Sequence, residues 1–178
     1  MSLDVNQFKE LIVVPVLRNL DLYSESAVNL IIGTAIIESD LKYLKQLHDG
    51  PAVSIMQIEP TTYHDIITRV VDKYSNLLNK IKVSCFVDSI PFDANWLIGN
   101  LNAAVAFARL KYYLDPEPLP KADDIQGLAE YYKRVYNTPN GSTAIEDAIT
   151  IFKSVIFNFK EQRVKTANAR MREKNRSC

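Results

Sequence analysis

Cysteine is scarce. Cys85 and Cys178 are the only two in 178 residues. Two thiols so placed make neither a disulfide framework nor a zinc pattern, and both read as free. Histidine is equally rare: His48 and His64 stand alone, with no Cys or third His nearby to complete a metal site. No metal and no cofactor is expected. No apolar run reaches the length of a membrane span. The apolar run from Leu11 to Leu17 is short and broken by Pro15, and Asp4 precedes it, so no export signal is expected. Nucleophile elbow, phosphate loop and dinucleotide fingerprint are all missing. Net charge is missing too. Lys+Arg and Asp+Glu are both 21, so global electrostatics favour neither nucleic acid nor membrane as partner.

What is present suits one folded domain. Hydrophobic residues are 47% and charged residues 24% of the chain, an ordinary globular balance with enough length for a real core. Charge is uneven at one point. Beyond Phe159 stand Lys160, Arg163, Lys165, Arg170, Arg172, Lys174 and Arg176 against only Glu161 and Glu173. The expected organisation is a domain over residues 1–159 and a basic tail over 160–178. Such a tail is either a solvated helix end or an arm for an anionic partner.

The patterning predicts a mainly all-α chain. A first helix runs from about Asp4 to Leu20, bent or split by Pro15. Ser24 caps a second, Glu25 to Glu38, that is apolar nearly all round and therefore central. Asp49-Gly50-Pro51 is a turn, followed by a short Val53-to-Ile58 run able to extend. Pro60 starts a third helix reaching about Val83. A fourth spans Ala94 to Leu114. Asp115-Pro-Glu-Pro-Leu-Pro120 blocks helix. Asp123 or Asp124 caps a fifth, to about Tyr136. Asn137 to Gly141 is a turn, and Thr143-Ala-Ile-Glu146 fits a capping box that opens the last helix.

Glu38 closes the most apolar helix. A helix C-terminus carries partial negative charge, and partial burial disfavours an anion, so both push the carboxyl toward its protonated form. That is the state a general acid needs near neutrality. After Glu38-Ser39 and a polar stretch comes Met56-Gln57-Ile58-Glu59-Pro60-Thr61-Thr62. The combination resembles the lytic transglycosylase and goose-type lysozyme families, nearest to bacteriophage-encoded versions. In those families a Glu-Ser pair ends a buried helix, and a glycine-containing loop leads to Met-Gln-hydrophobic-x-Pro-x-Thr. Asn100 to Arg109 resembles the family helix that follows an Asn. Val135-Tyr136-Asn137 resembles its Ala-Tyr-Asn motif. The likeness covers about residues 5–158. The sequence departs from it at Ser54, where the family carries glycine, and at Thr138-Pro139.

The resemblance implies a lysozyme-like helical domain with a short extended loop after the catalytic helix. It implies a peptidoglycan lytic transglycosylase, acting on glycan strands at the bond between N-acetylmuramic acid and N-acetylglucosamine. Glu38 would be the one catalytic acid. Ser39, Ser54, Met56 and Gln57 would bind the sugar through side chains and backbone. Tyr136 would orient Glu38, and Asn137 would hold substrate or helix end. Asp40, Asp49 and Glu59 are the local choices for a second carboxylate, and none fits a family motif for one. Tyr112, Tyr113, Tyr131 and Tyr132 are expected to pack helices, with one or two able to line sugar subsites. The setting implied is a phage virion or host cytoplasm, with action on the bacterial wall and virion proteins as further partners. The alternatives are a virion structural or internal protein with this fold and little activity, and a hydrolytic lysozyme.

Overall fold

The computed structural model describes residues 2–137 and 143–176, leaving aside the side chains of 71–73, 163–164, 166–167 and 169–176. The predicted turn at residues 138–141 and Cys178 lie outside the described residues. Among those described the chain is mainly helical, with isolated β-bridges and no strand. No described helix is long and apolar enough to cross a membrane.

Helix α1 (Val5–Gln7) begins where Asp4 Oδ1 accepts the backbone N–H of Asn6 and Gln7, at 3.0 and 2.9 Å. The winding then widens into a π-helical segment, Phe8–Val13, before α2 (Val14–Asn19). Val14 N donates five residues back, to Lys9 O, immediately ahead of Pro15. Pro15 has no N–H and needs room at the preceding turn. The predicted split therefore takes the form of a widened turn in one continuous rod.

Helix α3 (Glu25–Ser39) is the centre of the fold, with Ala27, Leu30, Ile31, Ile32 and Ala35 all buried. Ser24 Oγ accepts Ala27 N at 3.0 Å, the predicted cap. Gly33 lets the last helix, α9 (Ile145–Arg176), come close. A Cβ at Gly33 would sit 2.2 Å from a Phe152 ring carbon. The buried side chains of α9 include Ala148, Phe152 and Phe159, and the helix continues unbroken past Phe159.

Two predicted helices are each divided. The third becomes α4 (Pro60–Lys73) and α5 (Ser75–Cys85), separated at Tyr74 with φ −137° and ψ 59°. The break lets α5 turn back so that both pieces pack on the next long helix, and Tyr74 meets Tyr113 edge-on at 5.7 Å. The fourth becomes α6 (Trp96–Gly99) and α7 (Leu101–Tyr113). Asn100 divides them: its Oδ1 caps Ala103 N at 2.9 Å while its Nδ2 donates to Cys85 O at 3.0 Å. Asp124 caps α8 (Ile125–Tyr132) through Gly127 N at 2.9 Å, and a second π-helical segment, Lys133–Asn137, follows directly.

The Val53-to-Ile58 run is a tight reversal, not a strand. Val53 and Ile58 exchange both backbone bonds, at 3.0 and 2.8 Å, and Val53 also bridges to Lys45. Asp40, Leu41, His48, Asp49, Ser54 and Gln57 have positive φ in this region, six of the eight such non-glycine residues among the described residues. Left-handed backbone at non-glycine residues gathers where a structure must hold special geometry.

Candidate active site

The loop of residues 40–59 folds over the end of α3 and leaves a groove of about 680 Å³. Glu38 lines it, in the last turn of α3. The carboxyl is half-buried, and Tyr132 of α8 donates its hydroxyl to Glu38 Oε1 at 2.7 Å. Burial raises the Glu38 pKa above the ordinary carboxylate value, while the Tyr132 hydrogen bond and then the charge of Lys111 pull it down. The balance is upward, so the predicted direction is seen, with desolvation as the larger cause.

Lys111 comes from α7. Burial lowers its pKa, and the charges of Glu38 and then Glu59 raise it. Its Nζ donates to Tyr136 O at 2.9 Å and sits 4.2 Å from the centre of the Tyr136 ring.

Several predicted sugar-binding residues hold the loop together. Ser39 is 2% exposed; its hydroxyl donates to Ile55 O at 2.7 Å, with Ala35 O at 3.0 Å. It lines the groove beside Glu38, and its hydroxyl ties the end of α3 to the loop. Ser54 and Met56 are both 0% exposed. Ser54 N donates to Leu44 O at 2.8 Å, and Ser54 O accepts Gln57 N and Nε2 at 3.0 and 2.8 Å. Met56 N donates to Ser54 Oγ at 3.2 Å. The backbone expected to bind sugar is thus occupied in holding the loop, because a reversal this tight consumes its own polar groups.

Tyr136 lines the groove but does not reach Glu38. Its hydroxyl donates to Met56 O at 2.7 Å, pinning the loop to the π-helical segment that follows α8. The tyrosine on the acid is Tyr132, one helical turn earlier, which was expected to pack helices or line a sugar subsite. Tyr132, Tyr136, Tyr112 and Tyr131 form a row with neighbouring ring centres 5.3 to 6.2 Å apart. Tyr112 meets Thr34 Oγ1 of α3 at 2.7 Å. The row fastens α7 and α8 to the acid's helix.

Gln57 and Asn137 do line the groove. Gln57 spends its amide N–H on the loop, and Asn137 Oδ1 accepts Lys133 Nζ at 2.7 Å. Of the carboxylates considered as a second group, Asp40 and Glu59 share the groove with Glu38, as does His48. Asp49 occupies the adjacent turn with φ 57°. His64 lies elsewhere, packed between the rings of Tyr63 and Phe92. No group of three or more His, Cys, Asp or Glu able to hold a metal occurs among the described residues.

Sequence reasoning missed Lys111 and the role of Tyr132. Lys111 carried a signal, since it follows the largely apolar Ala103-to-Leu110 run in the same helix, one of two cations there with Arg109. Tyr132 is four residues before Tyr136, hence on the same helical face. No family model, curated protein or solved structure matches the chain. The functional reading therefore rests on these residues and their arrangement.

Proposed function

We propose that this protein is a peptidoglycan lytic transglycosylase with Glu38 as its one acid. The observation that supports this is the placement of Glu38. A half-buried carboxyl with a raised pKa lines an open groove and is gripped on one oxygen by a tyrosine hydroxyl.

In this reading Glu38 gives its proton to the oxygen bridging N-acetylmuramic acid to N-acetylglucosamine. The bond from the muramyl carbon to that oxygen breaks, and the N-acetyl group of the same sugar stabilises the positive centre left behind. Glu38, now ionised, takes the proton of the sugar's 6-hydroxyl, whose oxygen closes the anhydro ring. One proton leaves the enzyme and one returns, and no water is consumed. The phage setting, in a virion or a host cell with the bacterial wall as target, belongs to the same proposal.

Hydrolysis is a second reading, favoured by Glu59 and Asp40 in the same groove, where a carboxylate could activate water. A zymogram on purified peptidoglycan tests both against a purely structural virion role. Wild type should clear the gel and Glu38→Gln should not. Anhydro-muramyl product ends support the transglycosylase and reducing ends the hydrolase. Absence of clearing by folded wild type would leave the structural role.

A further inference from the structure

The groove that holds Glu38 adjoins a second cavity of about 590 Å³, and Thr62 and Lys111 line both. Three cations from three elements line the second cavity: Arg69 of α4, Lys111 of α7 and Arg134 of the π-helical segment. They are not equivalent. Arg134 is committed to carboxylates, holding Asp115 at 2.8 and 3.0 Å and Glu117 at 2.8 Å. Arg69 holds Leu114 O at 3.0 Å and reaches Asp65 only at 3.5 Å. Lys111 has no carboxylate oxygen within 4.0 Å of Nζ among the described residues.

An ammonium carries three donors, and Tyr136 O accounts for one. A partly buried cation with unused donors and no ion-pair partner is costly unless something pairs with it. The carboxylates whose charge acts on it are Glu38, which the reaction needs protonated, and Glu59. A further anion at the junction would complete the set.

We infer that Lys111, flanked by Arg69, receives a carboxylate of the substrate where the two cavities meet. This rests on the glycan-cleaving reading above and names what the groove selects. A muramyl sugar without a stem peptide carries a carboxylate on its lactyl ether; where a peptide is attached that carboxyl is an amide and the peptide supplies carboxylates instead, whereas chitin-type chains carry none. Pairing also withdraws the field of Lys111 from Glu38, so the acid is best kept protonated when the correct sugar is in place. The receptor thereby links recognition to catalysis.

The test measures binding in a Glu38→Gln background, so that no turnover intervenes. Isothermal titration compares three probes of equal sugar number: a chitooligosaccharide, a wall oligosaccharide stripped of stem peptides, and one that retains them. A preference of about tenfold for a carboxylate-bearing probe is expected. Lys111→Met should abolish that preference and Lys111→Arg should keep it. Tightest binding of the stripped probe, whose lactyl carboxylate is free, assigns that group, and tightest binding of the peptide-bearing probe, whose lactyl carboxyl is an amide, assigns the stem. Equal binding of all three probes, no binding of any, or a preference that survives Lys111→Met overturns the receptor. If Lys111→Met does not fold, amidation of the probe's carboxyl replaces it, and unchanged affinity then overturns the proposal. Wild-type cleavage of sacculi is scored separately. Binding preference without cleavage defeats the enzymatic reading alone, and cleavage without preference defeats the receptor alone.

Discussion

Tyr132 Oη stands 2.7 Å from Glu38 Oε1, so a residue of α8 fixes the carboxyl that ends α3. The bond restrains the acid and favours its ionised form, against the larger effect of burial. Tyr132→Phe removes the donor and keeps the ring. The Glu38 pKa should rise further, moving the alkaline limb of kcat/KM to higher pH. The rate at the optimum should fall about tenfold as orientation loosens. A pH–rate profile on solubilised glycan strands reads both effects, and an unchanged profile would show that Tyr132 is packing alone.

Glu38 itself should cost stability. Its folded pKa is raised, so above the unfolded value near 4.5 the native state holds the proton more tightly than the unfolded chain. Stability from this group is then present at low pH and lost as pH rises through the folded pKa. Glu38→Gln should therefore melt higher than wild type at pH 7, and the gap should shrink on acidification to pH 4. Thermal unfolding at the two pH values measures it.

Ser54 holds φ 69° with its side chain fully buried. A non-glycine residue in this region bears about 1–2 kcal/mol of backbone strain. Both Ser54→Ala and Ser54→Gly lose the 3.2 Å bond from Met56 N to Ser54 Oγ. They differ in backbone freedom, so the glycine variant should be more stable than the alanine variant by about 1 kcal/mol. Urea unfolding of the pair gives the difference.

Tyr136→Phe leaves Met56 O without its 2.7 Å donor in a buried position. The expected loss is about 1–3 kcal/mol, the cost of an unsatisfied buried carbonyl. Activity should fall as well, since the loop loses its tie to the π-helical segment after α8. Denaturant unfolding, with turnover measured on the folded fraction, separates the two.

Much of this was legible locally. Ser24 and Asp124 announced helix starts because a cap is a contact over two or three residues. The all-round apolar run of α3 announced a central helix, and with it a carboxyl held where burial would act on it. The break at Tyr74 was not legible, since no proline or glycine marks it and packing of both halves on α7 decides it. Nor were the true neighbours of Glu38. Tyr132 hydrogen-bonds it and Lys111 acts on it by charge, from two helices distant in sequence, and which face each helix turns inward is fixed only by the whole fold. Ser39, Ser54 and Met56 were placed in the right region, but their bonds within the loop were not legible, because a motif marks where residues gather and not which polar atoms the fold has already used.

The most direct test digests purified sacculi with wild type and with Glu38→Gln and quantifies the soluble muropeptides. Wild type should release fragments with anhydro-muramyl ends, and Glu38→Gln should be slower by about a hundredfold or more. Release by Glu38→Gln at the wild-type rate, or none by folded wild type, would contradict the assignment of Glu38 as the proton donor.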